Sequence, residues 1–209
     1  MGILVKIYYV NRYLHKTVNK LYSKLFELVK NKNYFVITIN VDHQFKLAGF
    51  DKNNLFYMQG DYGLFQCGIP CHSKTYDNKE IVIKMLHQQK DMKIPNSLIP
   101  KCPVCGNEMS MNLRTDSTFV EDEGWHLQAK AYSDFIQKSK DKKLLLIDLG
   151  VGYNIPAIIR FPFEKMTGMN KSTHLIRINK DYAFCSDKIK DKTILFSEDI
   201  SDVLDDLLK

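Results

Sequence analysis

The sequence predicts an α/β fold with a parallel sheet, interrupted by a small inserted subdomain, and three observations predict it. Continuous apolar, β-branched runs alternate with segments of helical periodicity, the order that builds parallel sheets. Four of the six prolines fall between Cys67 and Gly106, which marks that stretch as an insertion with its own organisation. At 209 residues, with 44% hydrophobic and 26% charged side chains, the chain suits one domain with an appendage and is too apolar to be disordered.

Each element follows from its residues. Leu14, Val18, Leu21, Leu25 and Leu28 recur at three- and four-residue steps, which predicts a core-facing helix from Leu14 to Val29, stopped by Asn31-Lys32-Asn33. Tyr34 to Ile39 is a β-branched and aromatic run suited to a central strand covered on both faces. A second strand is expected from Asn54 to Met58, before the cysteine region. Beyond that region the pattern predicts a helix from Glu123 to Lys140, a strand Leu144–Leu149, and a helix around Pro156 to Lys165. Strands Thr173–Ile178 and Thr193–Phe196 follow, then a helix from Ser201 to Leu208. Asp199, Ser201 and Asp202 suit the capping and dipole preferences of that last helix.

The charge of +6 is mild and fits an anionic ligand without requiring one. Lys138, Lys140, Lys142 and Lys143 form the tight basic cluster, at the expected end of a helix, where solvation explains them better than nucleic acid does. A zinc-ribbon nucleic-acid binder would need an interleaved aromatic and basic face that the sequence lacks. No apolar run approaches the ~20 residues of a membrane span, and Lys6 interrupts the opening apolar residues, so a cytoplasmic protein is expected.

Five cysteines without an export signal favour metal binding over disulfides. Cys67-Gly-Ile-Pro-Cys71 and Cys102-Pro-Val-Cys105-Gly106 are two close pairs separated by 30 residues. Two tight turns, each presenting two thiolates, make a tetrahedral four-sulfur zinc site, and such a closed set leaves no position for catalytic water. Gly106 stands where a sulfur-bearing turn needs freedom from Cβ crowding. Cys185 lies outside the pattern and is expected to be a small core residue.

Thr38-Ile39-Asn40-Val41-Asp42 sits at the carboxyl end of the first strand, where open α/β sheets place their ligands. Taken alone, Asn and Asp there are ordinary turn formers. With the later motifs they resemble the sirtuins, NAD-consuming deacylases and ADP-ribosyltransferases, in which Thr-Gln-Asn-Ile-Asp precedes a His-Gly pair and, six residues on, a first zinc cysteine. Here Gln59-Gly60 takes the His-Gly slot, and Asp61 to Gln66 lead to Cys67. Leu149-Gly150-Val151-Gly152 replaces the family's Gly-Thr-Ser turn. Ile178-Asn179 matches its Ile-Asn pair, and Asp199-Ile200 to Leu207 matches its closing turn and helix. The likeness runs from about residue 11 to the end.

The departures are informative. Ile39 replaces the usual Gln, and Gln59 replaces the histidine that is the general base of deacylating sirtuins. Thr-x-Asn-Val-Asp-His-Gln-Phe, Met-Gln-Gly, Asn112-Leu113-Arg114 and Phe119-Val120-Glu121-Asp122 resemble the bacterial macrodomain-linked branch, which transfers ADP-ribose to lipoylated carrier proteins. An amide has no useful proton affinity near neutral pH, so Gln59 cannot serve as that base.

The resemblance implies a Rossmann-like NAD-binding domain over residues 1–60 and 110–209, with a zinc-binding insertion over 61–109. It implies that Asn40 lies beside the nicotinamide ribose, that Asp42 holds the carboxamide and that Gln59 holds the ribose. Gly150, Gly152 and Asn154 would face one side of NAD; Asn179, Asp199 and Ile200 would face its adenosine end. Implied partners are a protein substrate such as a lipoylated carrier, and a macrodomain hydrolase. The family's Gly-Ala-Gly-x-Ser segment, which cradles the pyrophosphate, has no counterpart before Asn40, so an N-terminally truncated member is expected. The alternatives are a non-catalytic, zinc-binding remnant and an NAD-dependent protein deacylase.

Overall fold

The computed structural model describes residues 18–209. They belong to two compact units, one built on Tyr34–Tyr132, the other on Lys20–Asn33 with Ser133–Lys209.

In the first unit, β1 (Val36–Thr38) pairs in parallel with β2 (Leu55–Tyr57), in the register Val36↔Leu55 to Thr38↔Tyr57. The predicted first strand is shorter than its apolar run, and only Thr38 within it is buried. Between the two strands lies a four-residue helix, α1 (Gln44–Leu47), which was not expected. Phe45, Phe50, Leu55 and Phe56 are buried around this segment, and Phe56 meets Trp125 edge to face at 5.0 Å.

The cysteine region carries an antiparallel sheet in the order β4 (Tyr76–Asp77), β3 (Gly60–Cys67), β5 (Met109–Leu113). The register of β3 against β5 shifts between Asp61 and Phe65. Helix α2 (Lys79–Gln88) covers it, and Phe65, Cys67, Val82, Met85, Cys102 and Met109 form one core. Burying such a side chain contributes about 1.5–3 kcal/mol. Gln66, 1% exposed, makes three hydrogen bonds: its Oε1 accepts from Asn112 Nδ2 (2.8 Å) and Val120 N–H (2.9 Å), and its Nε2 donates to Thr118 O (2.8 Å). This pins the segment after β5 and leads it to α3 (Glu123–Ser139), where Asp122 accepts from Trp125 N–H at 2.8 Å.

In the second unit, β6 (Leu144–Leu149), β7 (Thr173–Ile178) and β8 (Thr193–Phe196) form a parallel sheet in that order, with the predicted bounds. The lysine cluster lies at the end of α3 and in the turn to β6, as expected. Helix α4 spans Arg160–Met169, not Pro156–Lys165. Residues 156–159 form turns, and Pro162 occupies the first helical turn, where its missing N–H costs nothing. Helix α5 (Ile200–Leu207) is capped by Asp199, whose side chain accepts from Ser201 N–H at 2.8 Å. The first helix of the chain, Lys20–Val29, is tied to α5 by Lys24 Nζ, 2.7 Å from Ser201 Oγ and from Asp205. Residues 14–17 of its predicted span lie outside the described residues.

Arg177 is wholly buried, with Nε 2.7 Å from Asp148 Oδ2 and Nη1 2.7 Å from Glu164 Oε1. Cys185 is half-exposed and no core residue, because it lies between Phe184 and Ser186 in a loop rather than on an element facing the sheet. No helix among the described residues is long and apolar enough to cross a membrane.

Candidate functional site

The four cysteines of the two pairs converge. Their sulfurs all lie within 4.8 Å of one another, with Cys67 to Cys105 at 3.5 Å and Cys71 to Cys102 at 3.7 Å. A tetrahedron with Zn–S bonds of about 2.3 Å has edges of about 3.8 Å, so this spacing is that of ligands around one ion. Cys67 ends β3, and Cys102 and Cys105 share a tight turn closed by Gly106 N–H to Cys102 O at 2.9 Å. A Cβ at Gly106 would meet nothing within 4 Å, so the expected crowding is not what calls for glycine there; its φ of +73°, in the left-handed region, is. Cys67 and Cys102 are buried, Cys71 and Cys105 exposed.

The sulfurs differ in proton affinity. Hydrogen bonds from the backbone and side chain of Asn107 stabilise the Cys105 thiolate and lower its pKa to about 6. Desolvation, then sharing hydrogen bonds with the other three thiols, pushes Cys71 up to about 12. His72 Nδ1 lies 3.0 Å from Cys71 Sγ, and its Nε2 lies 2.8 Å from Tyr76 OH.

The second candidate region is the carboxyl end of the β1–β2 pair. Thr38 and Tyr57 are register partners. Asn40 and Gln59 each lie two residues beyond them, so parallel pairing brings their segments out at one end. Asn40 is exposed, with its N–H bonded to Thr38 Oγ1 at 3.0 Å. Asp42 is half-buried and accepts from Gln44 N–H at 3.1 Å, opening α1. Gln59 is half-buried in the turn from β2 to β3, and its carbonyl accepts from Arg114 N–H at 3.0 Å. Gly60 has φ +93°, and a Cβ there would lie 2.0 Å from Asn112 O, so the close approach of β5 requires glycine beside Gln59.

Two neighbours went unremarked as site residues. Arg114 Nε donates to Met58 O at 3.3 Å, its Nη2 lies 2.5 Å from Glu121 Oε1, and its guanidinium sits 4.3 Å from the centre of the Phe119 ring. His43 Nε2 lies 2.6 Å from Asp61 Oδ2. Arg114 was visible only as part of a motif, and nothing local to His43 pointed to Asp61.

The remaining predicted residues lie in the second unit. Gly150, Asn179 and the Asp199–Ile200 pair follow the carboxyl ends of β6, β7 and β8. Asn179 organises this end: its Nδ2 donates to Val151 O (3.1 Å), and its Oδ1 accepts from Asp181 N–H (3.1 Å) and Tyr182 N–H (2.9 Å). Asp148 Oδ1 also accepts from Val151 N–H at 3.3 Å, linking the Gly150–Gly152 turn to the buried Arg177. Ile200 Cδ1 would lie 3.3 Å from a Cβ at Gly150, while Gly152 faces open space. Asn154 is exposed in the following loop.

No family model matches the chain. A protein ADP-ribosyltransferase of Staphylococcus aureus (strain Mu50 / ATCC 700699) is 36% identical over 198 residues, 94% of this chain and 63% of that protein. A probable bifunctional ADP-ribose hydrolase/ADP-ribosyltransferase of Fusarium oxysporum f. sp. cubense is 34% identical over 139 residues, 63% of this chain and 23% of that protein. The chain thus spans less than two thirds of either relative. Among solved structures, one concerned with sirtuin substrate affinity has a TM-score of 0.57 at 22% identity, covering 92% of this chain and 68% of that one. A mutant Sir2 homologue in complex with 2'-O-acetyl ADP ribose has a TM-score of 0.60 at 15% identity, covering 99% and 72%. The fold is the Rossmann-like α/β fold of those structures.

Proposed function

We propose that this chain, a sirtuin-like protein related to a protein ADP-ribosyltransferase, serves in NAD-dependent ADP-ribosyl transfer to a protein acceptor. The observation that carries this reading is the pairing of β1 with β2, which sends Asn40 and Gln59 out at one end with an amide where deacylation needs a base. NAD supplies the ADP-ribosyl group, with nicotinamide as leaving group. In the proposed arrangement Asn40 and Gln59 orient the nicotinamide ribose and Asp42 holds the carboxamide. An acceptor carboxylate attacks the ribose carbon without needing a strong base from the protein. Orientation is then the main contribution of these side chains, and orientation can be worth several orders of magnitude in rate. In the second unit, Gly150, Gly152, Asn154, Asn179, Asp199 and Ile200 are the proposed cofactor-binding residues.

Zinc, held by Cys67, Cys71, Cys102 and Cys105, has a structural role, since four thiolates leave no open position. A lipoylated carrier protein is the proposed acceptor, and a macrodomain hydrolase the proposed partner that removes the modification. The Fusarium relative, named for a hydrolase and a transferase together, supports that pairing. The test is transfer of labelled ADP-ribose from NAD to lipoylated and unlipoylated carrier, beside an acetyl-lysine peptide assay. Transfer to the lipoylated carrier with little deacetylation is expected; robust deacetylation without transfer overturns the reading.

A further inference from the structure

His43 directly follows the Asn40–Asp42 segment and has φ 61°, a left-handed conformation that costs a non-glycine residue energy. Its side chain is 10% exposed. Two contacts fix the ring, and both reach the turn that carries Gln59. The imidazole stacks on Tyr57 with centroids 4.6 Å apart and planes at 12°. Its Nε2 lies 2.6 Å from Asp61 Oδ2, a close polar contact in which the ring N–H is not aligned for a hydrogen bond. Tyr57 and Asp61 stand two residues before and two residues after Gln59, so one side chain grips both flanks of the turn. Asp61 is fixed in turn, because its other oxygen accepts from Gly63 N–H at 2.6 Å. Beyond His43, helix α1 follows at once, and His43 O accepts from Leu47 N–H at 3.1 Å.

We propose that His43, through Asp61 and Tyr57, is a positioning residue that locks the Asn40–Asp42 segment to the Gln59 turn. This rests on the reading of Asn40 and Gln59 given above. The β1–β2 ladder ends at Thr38↔Tyr57, and the His43 contacts join the two segments beyond that point. Asparagine tolerates left-handed φ but has no ring, so His43→Asn removes the grip while keeping the backbone conformation.

The experiment uses the full chain and its His43→Asn, Asp61→Asn and double variants. Steady-state transfer from NAD should show kcat reduced at least about tenfold in each single variant, since displacement near 1 Å has that order of effect. KM for NAD should stay within about threefold, because loss of an orienting interaction lowers kcat rather than ground-state binding. The double variant should be no worse than the poorer single, as expected of partners in one interaction. Hydrogen exchange, read in parallel, should accelerate at least about tenfold in both the 39–43 and 57–61 segments of each single variant, with the Cys102–Gly106 turn unchanged. Retained kcat, multiplying losses, or exchange that rises in only one segment overturns the proposal. If the unaltered chain transfers nothing, the functional reading falls, and the exchange pattern alone decides whether His43 is the lock.

Discussion

Replacing Gly60 with alanine tests how tightly the Gln59 turn is built. The new Cβ would lie 2.0 Å from Asn112 O and 2.9 Å from Asn112 C, both backbone atoms of β5, so no side chain can yield. The φ of +93° adds a conformational cost of about 1–2 kcal/mol for any residue with a Cβ. Overpacking adds about 1–3 kcal/mol, as β3 and β5 separate at Gly60↔Leu113. The sum is about 2–5 kcal/mol. Gly106 supplies the control: its φ is +73°, but a Cβ there meets nothing within 4 Å, so Gly106→Ala should cost only the conformational part. Thermal melting of the two variants separates the terms. At about 2–4 °C per kcal/mol for a chain of this size, Gly60→Ala should melt roughly 5–15 °C below the unaltered protein, and Gly106→Ala only a few degrees below it. Equal melting of the two variants would refute the close approach of β5 to the turn.

Metal analysis of the purified chain should find one zinc per molecule, and Cys102→Ser should lose it together with the folded subdomain, read by metal content and protease sensitivity. Zinc affinity should fall as pH falls. Cys71, with a pKa raised to about 12, holds its proton at neutral pH, so binding must displace at least that one. The affinity should therefore drop at least about tenfold per pH unit between pH 8 and 6, read by chelator competition, and a flat profile would contradict the thiol assignment. Gln66→Ala orphans the buried Val120 N–H and Thr118 O at about 1–3 kcal/mol each, so urea unfolding should show a loss of at least about 2 kcal/mol. Asp148→Ala leaves Arg177 without one of its two carboxylates and should cost about 3–5 kcal/mol by the same measurement.

The second unit was the more legible of the two. Leu144–Leu149, Thr173–Ile178 and Thr193–Phe196 are apolar runs bounded by polar residues, and parallel pairing used each one whole. The first strand was overestimated because Tyr34, Phe35 and Ile39 share the β-forming composition of Val36–Thr38 but have no ladder partner on β2. Strand β3 was hidden by Gly60, Asp61 and Gly63, which look like turn residues; pairing with β5 across a register shift overrides that preference. Helix α1 is one turn long, too short for periodicity, and begins from a left-handed histidine. The cysteine cluster was legible because two short spacings prescribe two turns, and four thiolates need one another or an ion. The His43–Asp61 pair had no such local mark: it joins residues 18 positions apart, brought together by the course of the chain through β2.

The central claim is that the carboxyl end of the β1–β2 pair orients a ribose for transfer without using a base. Its most direct measurement is the initial rate of ADP-ribosyl transfer from NAD to lipoylated carrier protein by the unaltered chain, Asn40→Ala and Gln59→Ala, across pH 6 to 9. The account predicts transfer by the unaltered chain, losses of at least about a hundredfold in both variants from misorientation, and no rate limb attributable to Gln59, which does not titrate. Transfer at the unaltered rate by Asn40→Ala or Gln59→Ala would contradict it.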